Sequence, residues 1–272
     1  MLSRGILMSD HDYAVETIYG LSTPSIQALI AAGRASQPAL LKVGIFVCPG
    51  YMPMDINGAQ SVFTIAGAGI YFIWKRRELV EGYIGWPTMP TMTFDECPDD
   101  LDVLVTGMVP PEVIEDPEVI RFFARAGQKA KYVIGTCYGS LMLGTAGLLN
   151  GRRATSNSNV VPMLPDVGAT AVSGSDVVID DTIYTSGPAT GSFDASLLVL
   201  KALRGEELAA LVELAIEYDP RPPFRTGSPE LAGPEMTAIS QSMTALLNRQ
   251  YHEAAKRGYA CYQQMIQGRH DE

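Results

Sequence analysis

The fold of this chain is constrained most by one short apolar run. The run ends in a turn of small residues and passes directly into a helical pattern. The stretch is Lys131 to Gly147, KYVIGTCYGSLMLGTAG, in which Gly135 and Gly139 bracket Cys137. This pattern is typical of a nucleophile elbow, where a strained residue projects its side chain between a buried strand and a helix. It predicts that Cys137 is a nucleophile and that the following helix favours its thiolate. The alternative is a small buried Cys that only packs between strand and helix.

Other short apolar runs predict a parallel sheet around this elbow. LKVGIFVC from Leu41, LDVLVTG at 101–107 and YVIGT before the elbow have the composition of strands buried on both faces. Helical patterns follow Asp55 at 56–66, begin at Asp116 and follow the elbow. Because strands and helices alternate, the sequence predicts an α/β fold with helices on both faces of a mostly parallel sheet.

Three segments are predicted along the chain. Residues 1–40 contain TPS followed by IQALIAAGR, a capped helical pattern, and are interpreted as an N-terminal helical extension. Residues 41–232 form the α/β domain, and residues 233–272 form a C-terminal helix, starting near Pro234, that packs on the same domain. Between β-forming residues, the Gly and Pro of EGYIGWPTMPTMTF predict a hairpin outside the main sheet.

Charge and composition exclude several classes of function. The formal net charge is −10, from 20 Lys and Arg against 30 Asp and Glu, which argues against nucleic acid and anionic membranes as partners. No apolar run approaches the roughly 18 residues of a membrane helix. The first residues, MLSRGILMSDHDYAVE, become acidic where a signal peptide turns apolar, so a cytoplasmic location is expected.

Cysteine and histidine counts narrow the chemistry. The four cysteines, Cys48, Cys97, Cys137 and Cys261, form no C-x-x-C pair, which fits neither a redox dithiol nor a zinc site, and no metal is predicted. The three histidines lie near the termini, so a Cys-His dyad in the middle of the chain is unavailable. The proton partner of a working Cys137 must then be a carboxylate, a tyrosine or water.

Strand ends supply the other candidate residues. Asp55 follows the first strand, where open α/β sheets gather functional groups, but it is equally placed to cap the helix after it. Gly107 ends the strand at 101–107 without a following helix, and offers either a backbone donor for a developing anion or only a turn. The polar loop 156–159 is expected to border the pocket.

Four stretches in this order resemble the ThiJ/PfpI superfamily of class I glutamine-amidotransferase-like proteins, and within it the isonitrile (isocyanide) hydratases. They are GIFVCPGYMPMDINGAQ, GTCYGSLMLGTAGLLNGRRAT, TSGPATGSFDASL and EYDPRPPFRTGSPE, within residues 42–232. The resemblance implies a flavodoxin-like three-layer sandwich with a nucleophile elbow, no cofactor and a homodimer. It also implies that Asp55, in a D-x-x-G turn with Gly58, is the catalytic partner of Cys137.

The implied reaction adds water to a small electrophilic carbon. Cys137 attacks the isonitrile carbon, Asp55 supplies the proton to give a thioimidate, and water activated by the same carboxylate releases an N-substituted formamide. A single carboxylate serves both steps only if its pKa lies near neutrality. Backbone amides near Gly107 and Tyr138 are expected to hold the developing charge.

The departures from the hydratase pattern face the expected pocket. Hydratases of this kind carry Thr after the cysteine, Gly-Gly at 107–108 and a His-Trp pair at 157–158, whereas peptidase-like members carry His after the cysteine. This chain has Tyr138, Met108, and Asn157 with Ser158 there. Tyr138 either reaches into the pocket or packs away from it. The predicted pocket residues are Ile56, Met108, Tyr138, Asn157, Ser158, Pro188 and Thr190.

Two other functions remain alternatives. One is glyoxalase-like or deglycase-like chemistry on α-oxoaldehydes, which the Asp partner and the missing mid-chain His disfavour. The other is a ligand-sensing or redox-sensing protein without turnover. The sensor half of an AraC-type regulator is disfavoured because the stretch from Arg221 to Glu272 is too short for two helix-turn-helix units.

Overall fold

Five parallel strands and one antiparallel edge strand form the main sheet of the computed structural model, which describes residues 40–174 and 176–268. The strands are β1 (Lys42–Phe46), β2 (Gly69–Ile73), β3 (Val80–Gly82), β4 (Trp86–Thr88), β5 (Val103–Thr106), β6 (Tyr132–Thr136), β7 (Arg153–Ala154), β8 (Thr170–Ala171), β9 (Val178–Asp180) and β10 (Ile183–Ser186). The sheet order is β2-β1-β5-β6-β10-β9, and β9 is the antiparallel member.

Burial explains why the central strands read as continuous apolar runs. All four residues of β5 are buried, as are the last four of β1 and of β6. Strands with both faces covered have no polar alternation, because neither face meets water. The predicted α/β class with a mostly parallel sheet is therefore confirmed.

Helices cover both faces of this sheet. They are α1 (Asn57–Ile65), α2 (Pro111–Ile114), α3 (Pro117–Lys129), α4 (Gly139–Thr145), α5 (Thr190–Arg204), α6 (Glu206–Ala215) and α7 (Pro229–Gln267). Helix α5 contacts both α1 and α6, whereas α7 contacts α2, α3 and α4. The two groups make the outer layers of the predicted three-layer sandwich.

Local signals placed several boundaries correctly and missed others. Asp116 caps α3, accepting hydrogen bonds from the backbone amides of Glu118 and Val119, as the Asp-Pro start predicted. Strands β3 and β4 pair as the predicted hairpin. The expectation that no helix follows β5 was wrong, because Pro110 and Pro111 fix backbone angles that begin the one-turn α2.

The C-terminal helix begins earlier than predicted. Ser228 caps it with an oxygen that accepts from the Leu231 amide, and Gly233 takes a φ of +79° that interrupts the helix before Pro234. A Gly can adopt that angle without strain, so the helix resumes after the break. The predicted boundary at 232/233 thus falls inside α7, which packs on the α/β domain. The predicted arm at 1–40 lies outside the described residues except for Leu40.

In the part of the chain that the structure describes, no helix combines the length and the apolar composition needed to span a bilayer.

The start of α4 passes very close to the end of β5. A Cβ added to Gly139 would lie 2.5 Å from the Thr106 carbonyl oxygen and 3.1 Å from that of Gly107. Both obstacles are backbone atoms at the carboxyl edge of the sheet, so they cannot rotate away. The small residue two positions after Cys137 is therefore what allows β6 to turn into α4 at this place.

Gly139→Ala is expected to lower the free energy of unfolding by about 1–3 kcal/mol, because the added methyl forces β5 and α4 apart. Urea denaturation measures the change. Gly187→Ala is the matched control, since an added Cβ there meets no atom within 4 Å, and it should change stability by less than about 0.5 kcal/mol. Equal stability of the two variants would contradict this reading of the elbow.

Candidate active site

Cys137 occupies a strained turn at the carboxyl edge of the sheet. It lies between β6 and α4 with a φ of +57°, an angle that a residue with a Cβ rarely adopts. Its backbone N–H donates to the Ser186 carbonyl at 3.0 Å, and its own carbonyl accepts from the Ser156 hydroxyl at 2.5 Å. These bonds from two other segments hold the strained residue in place. The strained strand-to-helix turn predicted at Cys137 is therefore present. The role of Cys137 as a nucleophile stays a prediction.

Asp55 lies at the end of a short 3₁₀ turn, Pro53–Asp55, directly before α1, and its carboxylate bonds to two other segments of the chain. One oxygen accepts from the Met108 amide at 3.0 Å and the other from the Ala189 amide at 3.4 Å. The Cys137 thiol is close enough to this carboxylate for each group to change the pKa of the other. Since α1 has no side-chain cap, the interpretation of Asp55 as a helix cap was wrong.

Burial dominates the electrostatics of this pair. Asp55 is 1% exposed, and its burial raises the pKa of the carboxyl to about 6, although hydrogen bonds from Met108, Ala189 and Cys137 oppose the rise. Burial also raises the pKa of the Cys137 thiol, and the negative charge of Asp55 raises it further. The Tyr138 amide at the helix start lowers the pKa of the thiol, as predicted for the helix start, but desolvation of the sulfur outweighs this effect, so the expected thiolate is not the favoured form.

The two groups therefore share a single proton at neutral pH. Above about pH 6, Asp55 is ionised and Cys137 is a thiol, so an acceptor stands within reach of the sulfur proton. A carboxyl whose pKa lies near the working pH can both accept a proton and return it. This arrangement can perform nucleophilic attack coupled to proton transfer without a histidine.

Tyr138 packs beneath α7. Its hydroxyl donates to the side-chain carbonyl of Asn248, and its ring centroid lies 4.0 Å from that of Tyr251. Burial, and then the nearby Cys137, raises the pKa of Tyr138 to about 12. Asn248 was not among the sequence candidates, because a lone Asn on a distant helix carries no local signal. Ala189 was missed because it acts through its backbone amide, which no side-chain pattern marks.

The predicted backbone donors are differently engaged. A hydrogen bond from the Tyr138 amide lowers the pKa of Cys137. At the end of β5 the engaged amide is that of Met108, which donates to Asp55. An added Cβ on Gly107 would lie 2.5 Å from the Asp55 Cβ, so Gly107 gives the carboxylate room to approach. The donor role of Gly107 stays a prediction.

A cavity of about 340 Å³ is lined by Ser156 and Asn157, which both hydrogen-bond to Cys137, although neither Cys137 nor Asp55 lines it. Four of the predicted pocket residues line it, namely Asn157, Ser158, Pro188 and Thr190, together with residues 227–230 at the start of α7. Ile56, Met108 and Tyr138 do not line it. Most polar groups facing the space are neutral hydroxyls and amides. In the described ranges, no three His, Cys, Asp or Glu side chains are grouped so as to hold a metal ion.

The fold and this site define a flavodoxin-like α/β protein with a cysteine on an elbow beside a buried carboxylate. The model of the DJ-1/PfpI family matches residues 41–202, and the chain belongs to that family.

Its relatives include enzymes of two kinds. The chain is 35% identical over 195 residues to an isonitrile hydratase of Pseudomonas putida, covering 71% of this chain and 85% of the relative. It is 26% identical over 149 residues to a deglycase of Thermococcus kodakarensis, covering 54% and 89%. The crystal structure of a ThiJ/PfpI family protein from Pseudomonas syringae matches with a TM-score of 0.75 at 32% identity, over 80% of this chain and 91% of that one.

The raised pKa of Asp55 predicts a specific pH dependence of stability. A carboxyl that binds its proton more tightly when folded contributes stability below its unfolded pKa, and that contribution is lost as pH rises through about 6. Asn at position 55 never ionises. As pH rises from 3.8 to 6, the free energy of unfolding of Asp55→Asn should therefore increase relative to that of the wild type by up to about 3 kcal/mol. Chemical denaturation across this range measures the difference.

Asp116→Asn is the control of opposite sign. Hydrogen bonds from Lys75 and from helix amides hold the pKa of Asp116 below its usual value. The stability of this variant relative to the wild type should therefore fall as pH rises. Parallel curves for the wild type and Asp55→Asn would contradict the raised pKa.

Proposed function

We propose that this protein is a cofactor-independent, cysteine-dependent hydratase that adds water to isonitriles and releases N-substituted formamides. The observation that carries the proposal is the Asp55 carboxylate, buried beside the Cys137 thiol with a pKa of about 6. The similarity to an isonitrile hydratase supports the substrate class. The cytoplasm, where thiols stay reduced, is the expected compartment.

In the first step the sulfur attacks the terminal carbon of R–N≡C. Asp55 accepts the thiol proton as the C–S bond forms, and returns it to the same carbon. The product is a thioimidate, Cys137–S–CH=N–R. The Tyr138 amide, which lowers the pKa of Cys137, and a donor at Gly107 stabilise the charge that develops.

In the second step water attacks the thioimidate carbon. Asp55 takes a proton from the water and passes it to the imine nitrogen, so a tetrahedral S–CH(OH)–NH–R intermediate forms. The C–S bond then breaks, the hydroxyl becomes the formyl carbonyl, and its proton returns to the sulfur of Cys137. The sum is one isonitrile and one water converted to one formamide.

Cys137→Ser and Asp55→Asn should each reduce formamide production from an alkyl isonitrile by at least about a thousandfold, because the nucleophile or its proton acceptor is removed. Gas chromatography of the formamide measures turnover. Cys261→Ala, which changes a partly exposed cysteine on α7, should retain full activity. Lack of turnover by wild-type protein at high enzyme concentration would exclude isonitriles as substrates.

Deglycase-like chemistry is the second candidate, because deglycases are among the relatives. The same thiol would attack the carbonyl carbon of an α-oxoaldehyde. Methylglyoxal consumption, assayed with the same protein preparations, separates the two reactions. Ligand binding that survives without turnover of either substrate would favour a sensor.

We also propose that two copies associate through one face of α7. Between Glu235 and Arg249 this helix carries no charged residue. Its large apolar side chains there point outward at intervals of three and four: Met236, Ile239, Met243 and Leu246, which are 53%, 57%, 81% and 64% exposed. Such spacing is that of a helix-pairing seam.

An antiparallel pairing suits this seam. It places Ile239 of one copy against Met243 of the other, and brings the Glu235 of each near the Arg249 of the other. The attraction between these charges, at both ends of an uncharged contact, fixes the antiparallel direction. A parallel pairing places like charges together.

Ile239→Glu combined with Met243→Glu should convert a dimer to a monomer in sedimentation velocity experiments, because four carboxylates would meet in an apolar contact. Leu214→Glu is the matched control, since it places a charge on an apolar side chain of α6 that is 72% exposed. A wild-type protein that sediments as a monomer, or a double variant that stays dimeric, would contradict this interface.

A further inference from the structure

Asn157 is a third polar group at the sulfur that the two-residue mechanism leaves without a role. Its side-chain Nδ2 donates to the Cys137 Sγ at 3.3 Å. The bond reaches the sulfur from the loop after β7, whereas Asp55 approaches from the turn after β1. Two side chains from separate segments of the chain thus converge on one nucleophile.

The orientation of this amide is fixed by its own loop. Asn157 Oδ1 accepts from the Asn159 backbone N–H at 3.0 Å, so the NH₂ end faces the sulfur. One residue earlier, the Ser156 hydroxyl donates to the Cys137 carbonyl. The loop is thereby attached to the elbow at both the backbone and the side chain.

Helix α7 supports the loop from the other side. The Asn159 side-chain amide donates to the Thr244 hydroxyl at 3.5 Å, and the Asn248 amide donates to the same oxygen at 3.0 Å. Asn248 in turn accepts from the Tyr138 hydroxyl. This chain of hydrogen bonds runs from α7 to the residue beside Cys137 and holds the donor in place.

A hydrogen-bond donor at sulfur distinguishes the two protonation states. A thiol is a weak acceptor, whereas a thiolate accepts a charge-assisted bond that is much stronger. Asn157 therefore lowers the pKa of Cys137, in opposition to burial and to the charge of Asp55. An amide also keeps a neutral donor at every working pH, whereas an imidazole gains a positive charge when it is protonated.

We propose that Asn157 is a catalytic residue, whose side-chain amide stabilises the Cys137 thiolate formed when Asp55 accepts the thiol proton. The role deepens the proposed hydratase and rests on it for the reaction, but the stabilised thiolate itself requires no particular substrate. This role also explains why Asn157 replaces the His of the hydratase pattern. The Asn157 side chain, which lines the cavity, supplies the hydrogen-bond donor to the sulfur.

Alkylation of Cys137 by iodoacetamide, followed by mass spectrometry of its peptide from pH 6 to 10, tests the role. The rate follows the thiolate fraction. Asn157→Ala should lower the rate at pH 8 about tenfold and shift the profile upward, because a charge-assisted donor is lost. Asn157→Asp should shift it further in the same direction. Asn150→Ala, which removes an asparagine amide outside the cavity whose oxygen accepts from Tyr259, should leave the profile unchanged.

Asn157→His, which restores a ring N–H donor, should recover part of the rate. An unchanged profile in both Asn157→Ala and Asn157→Asp, with thermal melting showing folded protein, would overturn the proposal. If Asn157→Ala does not fold, the Asp and His variants decide it. A shifted profile without isonitrile turnover would keep the thiolate role and reject the hydratase, so the two failures are distinguishable.

Discussion

The burial of the Asp55 carboxylate against the Cys137 thiol is the constraint on which the rest of this structure depends. Neither group can ionise freely without water, so the pair shares one proton. Two exposed groups would instead titrate independently of each other. The hydrogen bonds from the Met108 and Ala189 amides offset the desolvation cost of the buried carboxylate. Gly107 lacks a side chain for the same reason, since a Cβ there would collide with Asp55.

Backbone strain accompanies this arrangement. Cys137 and Ala189 both have positive φ angles, and each is the residue through which its segment meets the carboxylate. Strained residues persist when their surroundings over-determine them. Here the sheet does so: β6 and β10 are adjacent parallel strands, and both strained turns follow directly from their carboxyl ends. The fold thus concentrates strain at the edge where the chemistry is proposed to occur.

Local sequence patterns predicted the strands, the elbow and the position of Asp55, because each depends on neighbours in sequence. They did not predict Asn248, whose bond to Tyr138 spans 110 positions. They also misjudged the ionisation of Cys137, since the depth of the sulfur follows from how layers pack. The start of α7 was misplaced because a Gly and a Pro inside a helical pattern normally end it, whereas here Gly233 absorbs the break.

Over part of its length, helix α7 has the reverse of the usual amphipathic pattern. This pattern connects the proposed association through α7 with the proposed role of Asn157. The polar Thr244 and Asn248 face the body, while Ile239, Met243 and Leu246 face outward. Over this part of α7 the contact with the body is made by hydrogen bonds, whereas buried residues such as Tyr251 and Tyr262 hold the helix further along. A second copy bound to the outer face of α7 would restrict the motion of this helix. It would thereby also restrict the motion of the loop that carries Asn157. Association and thiolate stabilisation would then be coupled through one helix.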